Sequence, residues 1–168
     1  SVVHHVASKT LEAQANMEAD HTEKKRLLWN ALKHREKTIE ILEKIGCADY
    51  YWTLVVMQNY HAGIKAELAD IEPDPDSKTR LLEEAALSRE KSLTLCDKVM
   101  PYYEKMGRFI LFAAVQGYQD TYAALLTRLY DLTNKPEHLR KAIEISQKAI
   151  ESAKKLDMTS LIAESQWK

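Results

Sequence analysis

Glycine and proline are scarce in this chain, with four of each among 168 residues. So few turn and bulge formers, with few β-branched runs, exclude an all-β fold and point to helices. Cysteine is nearly absent too. Cys47 and Cys96 stand 49 positions apart and fit no disulfide framework, metal motif or redox motif, so both read as reduced thiols of a cytoplasmic protein. No apolar run approaches the roughly 18 residues that span a bilayer. The opening Ser1-Val2-Val3-His4-His5 lacks a basic segment followed by a long apolar stretch, so no signal peptide is read there. An excess of one charge is also missing: Lys and Arg total 24 against 25 Asp and Glu, a formal net charge of -1. That balance gives no reason to expect nucleic acid or a membrane surface as partner. The last residues, Ala163 to Lys168, stop without a helix cap, and the sequence is expected to be part of a longer chain.

What is present is 45% apolar and 29% charged, enough for a single domain over residues 1–168 with a sizeable core. The chain also repeats itself. Arg26-Leu27-Leu28-Trp29-Asn30-Ala31-Leu32-Lys33-His34-Arg35-Glu36-Lys37 returns 54 positions later as Arg80-Leu81-Leu82-Glu83-Glu84-Ala85-Ala86-Leu87-Ser88-Arg89-Glu90-Lys91. A weaker copy begins a further 57 on, with Leu139, Ala142, Ile143, Lys148 and Ile150. Recurrence at a fixed period is the mark of stacked structural units.

Periodicity and punctuation predict seven helices. The first covers residues 2–19. The second covers 23–45, with Asp20 or Thr22 as cap and Gly46 as terminator. The third covers 48–70, and no Asp, Glu, Lys or Arg lies between Asp49 and Lys65, so it is expected to be buried between neighbours. Pro73 and Pro75 mark a loop. A fourth helix begins near Lys78, capped by Asp76 or Ser77, and Pro101 breaks or kinks it. The fifth covers 108–132, and its stretch from Phe109 to Gln119 is uncharged apart from its flanks. The sixth starts at Pro136 and ends near Leu156, burying Leu139, Ala142/Ile143, Ser146, Ala149/Ile150, Ala153 and Leu156. The seventh starts near Thr159. Charged, one-sided helices thus alternate with uncharged ones, in units of residues 23–76, 77–134 and 135–168 after a leading helix. Gly63 and Gly117, 54 apart in the uncharged helices, are expected to let a neighbouring helix approach closely.

Pro136-Glu137-His138-Leu139-Arg140-Lys141-Ala142-Ile143-Glu144-Ile145-Ser146-Gln147-Lys148-Ala149-Ile150 resembles the second helix of a tetratricopeptide repeat. The resemblance implies an all-α, TPR-like right-handed superhelix of antiparallel helix hairpins that binds peptides or protein partners on its concave face. The family's period is about 34 residues, so the units here are TPR-like with lengthened helices. Such units also look like the helical arrays of bacterial and archaeal multidomain regulators and, distantly, like 14-3-3 proteins.

Arg35 and Arg89 fall mid-stripe at equivalent positions, where the third unit has Ser146. Two readings stand side by side: guanidiniums presented to an acidic or phosphorylated partner, or structural arginines paired with a carboxylate between helices. Tyr50, Tyr51, Trp52, Tyr60 and His61 cluster on the third helix, and Phe109, Phe112, Tyr118 and Tyr122 on the fifth. They are interface anchors or inter-helix packing. Asn59 and Gln116 are amides for a peptide backbone or satisfied core amides. The six histidines show no metal spacing, Cys96 is expected in the core, and Glu67, Asp70, Glu72, Asp74 and Asp76 form an acidic edge. No phosphate-binding loop, nucleophile elbow or metal motif is found.

The expected function is therefore a non-enzymatic, cofactor-free module that binds a protein or peptide. Its candidate contacts are Arg35, Arg89, Trp52, Asn59, Tyr60 and Gln116. A small-ligand sensor and a phosphopeptide binder are the alternatives, the latter requiring both arginines exposed.

Overall fold

A computed structural model describes the backbone of residues 2–108 and 110–166, and their side chains apart from those at 48, 110, 155 and 157–166. Among the described residues six α-helices follow in order: α1 (Val2–Met17), α2 (His21–Ile45), α3 (Tyr51–Asp70), α4 (Pro75–Lys105), α5 (Ile110–Thr133) and α6 (Pro136–Gln166). A single 3₁₀ turn, Ala48–Tyr50, leads into α3. No strand occurs among the described residues. The fold is all-α.

The helix ends follow from local chemistry. The Asp20 carboxylate accepts the Thr22 N–H at 2.9 Å and starts α2. Gly46, at φ +62°, donates its N–H to the Leu42 carbonyl and ends it. The cap of α4 is Asp74 rather than Asp76 or Ser77. Its carboxylate accepts the Ser77 N–H at 2.9 Å, and Pro75 takes the first helical position, where its missing N–H costs nothing. At the other end of α4, the N–H groups of Gly107 and Arg108 reach back to the carbonyls of Glu104 and Tyr103, with Gly107 left-handed at φ +68°. Pro101 does not break α4; it only removes the donor for the Asp97 carbonyl, while buried Cys96, Val99 and Met100 hold the turns before it. Nor does a seventh helix begin near Thr159. With neither Gly nor Pro between Leu156 and Gln166, α6 continues through.

The chain divides into two compact units, residues 1–92 and 93–168, with α4 contributing to each. In the first, α1 packs along α2 and α2 against α3. Leu28, Ala31, Leu32, Val55, Leu68 and Leu82 form its core. Helix α3, uncharged as far as Lys65, is buried along most of its length, from Leu54 to Ala69. In the second unit α5 packs along α6, around Phe112, Tyr122, Leu126, Leu129, Ala142 and Ile145.

Two packing expectations change. A β-carbon built on Gly63 or Gly117 would meet nothing within 4 Å, so neither glycine is there for close helix approach. In α6 the buried side is Ala142, Ile145 and Ala149, whereas Leu139, Ile143 and Ile150 are exposed.

Candidate functional site

The repeated arginines turn inward. Arg35 is fully buried on α2. Its guanidinium donates to the Glu12 carboxylate of α1 at 2.6 Å and sits 2.7 Å from His5 Nδ1 and 3.1 Å from Met57 Sδ. The Tyr60 ring lies 4.9 Å from the guanidinium carbon, and Lys9 approaches the same ring at 5.0 Å. The Ser8 hydroxyl completes the cluster, 2.8 Å from Glu12 Oε1 and 3.0 Å from the Ala31 carbonyl oxygen, two acceptors that share its one hydrogen. Among the described residues Arg35 Nε has no hydrogen-bond acceptor. Arg89, half-buried on α4, donates to Asn59 Oδ1 of α3, and Asn59 in turn contacts Ser92 Oγ and the Val55 carbonyl.

These two contacts are one contact repeated. Arg35 and His5 are 30 residues apart, as are Arg89 and Asn59. The pairs are related by the 54-residue shift, so α1 is the equivalent of α3, and Gln116 with Ser146 occupies the same positions in α5 and α6. The arginine joins the second helix of a hairpin to the first. Burial of Arg35 withdraws it from any partner and removes the condition on which the phosphopeptide reading depends. Asn59 is likewise buried and committed within the chain. Of the remaining candidates, Tyr60 is 38% exposed and stacked on Arg35. Trp52 is half-buried in the first turn of α3, Gln116 is half-buried on α5, and Phe109 lies outside the described residues.

A second polar group lines a cleft of about 210 Å³ in the first unit, between Glu36, Ile39, Gln58, His61, Ser88 and Lys91. His61 Nδ1 is 2.9 Å from Ser88 Oγ, and its Nε2 is 3.5 Å from Glu36. The order acid–histidine–serine imitates a nucleophilic triad, but the Ser88 hydroxyl also lies 3.1 Å from the Glu84 carbonyl one turn back, a second acceptor for its one hydrogen. Burial, then Lys65, Arg35 and Lys91, push the His61 pKa down to about 3, which keeps it neutral. Lys65 is paired with Glu84 at 2.6 Å.

In the second unit a cleft of about 340 Å³ has an apolar floor of Cys96, Met100, Phe112 and Val115, and a rim that includes Asp97, Lys148 and Glu151. Burial, followed by Asp97, pushes the Cys96 thiol up to about 12, which keeps it protonated. The acidic edge is partly used within the fold, with Glu72 paired to Lys25 at 2.6 Å and Asp74 capping α4.

The outward faces of the first and last helices are the positions that motif reasoning did not single out. Leu28 and Leu82 are fully buried, but their counterpart Leu139 is 38% exposed. Leu32 and Ala86 are buried, but Ile143 is 53% exposed; Ile39 is buried, but Ile150 is 56% exposed. The cause lies in the neighbours. Helix α2 has α1 on one side and α3 on the other, whereas α6 packs along α5. The same holds at the start: Met57 of α3 is buried against Arg35 of the preceding α2, while its equivalent in α1, Val3, is 77% exposed. The signal was present in the sequence as repeat-equivalent apolar residues in the last unit.

No protein-family model and no curated protein matches this chain. Three solved structures share its fold. The first is a DHF58 filament, at 17% identity and a TM-score of 0.57, covering 91% of this chain and 67% of that one. The second is a DHF79 filament, at 20% identity and a TM-score of 0.56, covering 95% and 75%. The third is a de novo designed helical repeat protein, DHR64, at 22% identity and a TM-score of 0.50, covering 94% and 69%. The chain therefore has a helical-repeat fold of stacked helix hairpins. Among the described residues no helix is long and apolar enough to cross a membrane.

Proposed function

We propose that this chain is a non-enzymatic, TPR-like protein-interaction module that docks a low-charge helix of a protein partner on the outward face of α6. The observation that carries the reading is the exposure of Leu139, Ile143 and Ile150 at positions whose counterparts in the earlier repeats are buried. The stripe has the i, i+4, i+11 spacing that a helix lays into a groove. The chemistry of its occupant follows from the first unit, where α3, uncharged between Asp49 and Lys65, packs on α2. Of the earlier candidate contacts, Tyr60 and Trp52 remain accessible and the amide and arginine positions do not carry the reading.

A synthetic peptide with the sequence of residues 51–70 tests it. Fluorescence anisotropy is expected to show saturable binding to the parent protein. Ile143→Asp combined with Ile150→Asp is expected to weaken that binding by about 100-fold, as loss of anchors worth about 1–2 kcal/mol each would do. Absence of saturable binding, or equal binding by the double variant, overturns the proposal.

A further inference from the structure

The six histidines look scattered along the sequence, but folding brings two of them together. His4 of α1 and His34 of α2 face each other with their Nδ1 atoms 2.9 Å apart, ring centroids 5.2 Å apart and planes inclined by 37°. Both are half-buried, so the pair is open to solvent on one side. The helices that carry them are tied by the buried Ser8 hydroxyl on the Ala31 carbonyl and by the Arg35–Glu12 pair, which fixes the approach of the two rings.

We infer that His4 and His34 form a divalent-metal site bridging α1 and α2, taking Zn²⁺ or another imidazole-binding ion with water in the remaining positions. Two facing ring nitrogens at hydrogen-bond distance share one proton, and a cation in its place engages both lone pairs. Nitrogens bound to one ion at about 2.0–2.1 Å stand roughly 3 Å apart when their bonds meet near a right angle, and somewhat wider in a tetrahedron. The observed separation needs little or no ring movement to meet either. Repeat equivalence supplies an independent argument. The same two positions are Gln58 and Ser88 in the second hairpin, and Val115 and Ile145 in the third, both buried. Packing at this point of the hairpin accepts apolar residues, so it does not call for imidazoles. Among the described residues no group of three or more His, Cys, Asp and Glu converges on one point, so the site has two protein ligands. Arg35, next to His34 in the chain, has its charge offset by Glu12.

Isothermal titration with zinc chloride tests the site in a Cys47→Ser background, which removes the exposed thiol beside Asp49 as a rival ligand. One zinc per chain is expected. His34→Gln is expected to weaken binding by about 100-fold or more, at or beyond the top of the roughly 10- to 100-fold range for loss of a supporting contact, and His138→Gln to leave it unchanged. In the same parent protein the ring resonances of His4 and His34 are expected to shift together on zinc addition. This readout holds even if His34→Gln unfolds. No zinc binding, full binding by a folded His34→Gln variant, or zinc that leaves the His34 ring signals in place would overturn the site.

Discussion

At Arg35 the burial of one charge decides more than any surface pair on the molecule. Removing its partner and removing the arginine itself are unequal operations. Glu12→Ala strands a fully buried guanidinium with only His5 and Met57 as hydrogen-bond contacts, and is expected to cost about 3 kcal/mol. Arg35→Met fills the same space with an apolar chain beside Met57 and leaves Glu12 bonded to Ser8, so its cost is expected to be less than half of that. Urea unfolding of both variants measures the inequality, and the reverse order would show that the arginine's other contacts dominate. His61 sets a pH dependence. Its pKa is low in the folded chain, about 3 against an ordinary 6.5, because burial, and after it the cations Lys65, Arg35 and Lys91, disfavour the charged ring. The unfolded chain therefore binds a proton below pH 6.5 that the folded chain refuses. The stabilisation is complete above that pH and is lost as pH falls towards 3. Between pH 6 and 4 the parent is expected to lose about 1 kcal/mol per pH unit more than His61→Gln. Parallel stability curves for the two proteins would contradict it.

At the scale of the helix, punctuation was legible where a single residue does the work. Asp20, Gly46 and Pro136 sit where capping chemistry puts them. The start of α4 was read two or three residues late, because Asp74 caps through the proline that follows it. The glycines show the opposite failure. Their recurrence 54 positions apart pointed to close packing, yet both have open space where a methyl group would go. A mid-helix glycine with no steric reason carries only the entropy penalty of its flexible unfolded chain. Gly63→Ala and Gly117→Ala are each expected to raise stability by about 1 kcal/mol, read as an upward shift in thermal midpoint. A drop in either variant would reveal a neighbour that the packing does not show.

For the molecule as a whole, the repeat had the largest consequences. It was visible as spaced letters, and it led correctly to stacked helix hairpins because apolar periodicity and the scarcity of glycine and proline leave no competing architecture. Which side of each helix is covered was not visible. Periodicity names a stripe, but Leu139 carries the same letter as Leu28 and Leu82 and meets a different environment, since coverage depends on a neighbouring helix rather than on the residue. The candidate site moved for the same reason. Arg35 and Arg89 were legible as a pair, and their inward direction was not, because the acceptors Glu12 and Asn59 lie 23 and 30 residues back. His4 and His34, likewise 30 residues apart, form no spacing motif at all. The sequence by itself determined the helical class, the hairpin repeat and most helix ends, since these follow from local propensity, capping and composition. The burial of the arginines, the meeting of the two histidines and the bare outer face of α6 were decided by tertiary structure alone, because each depends on which helix lies alongside.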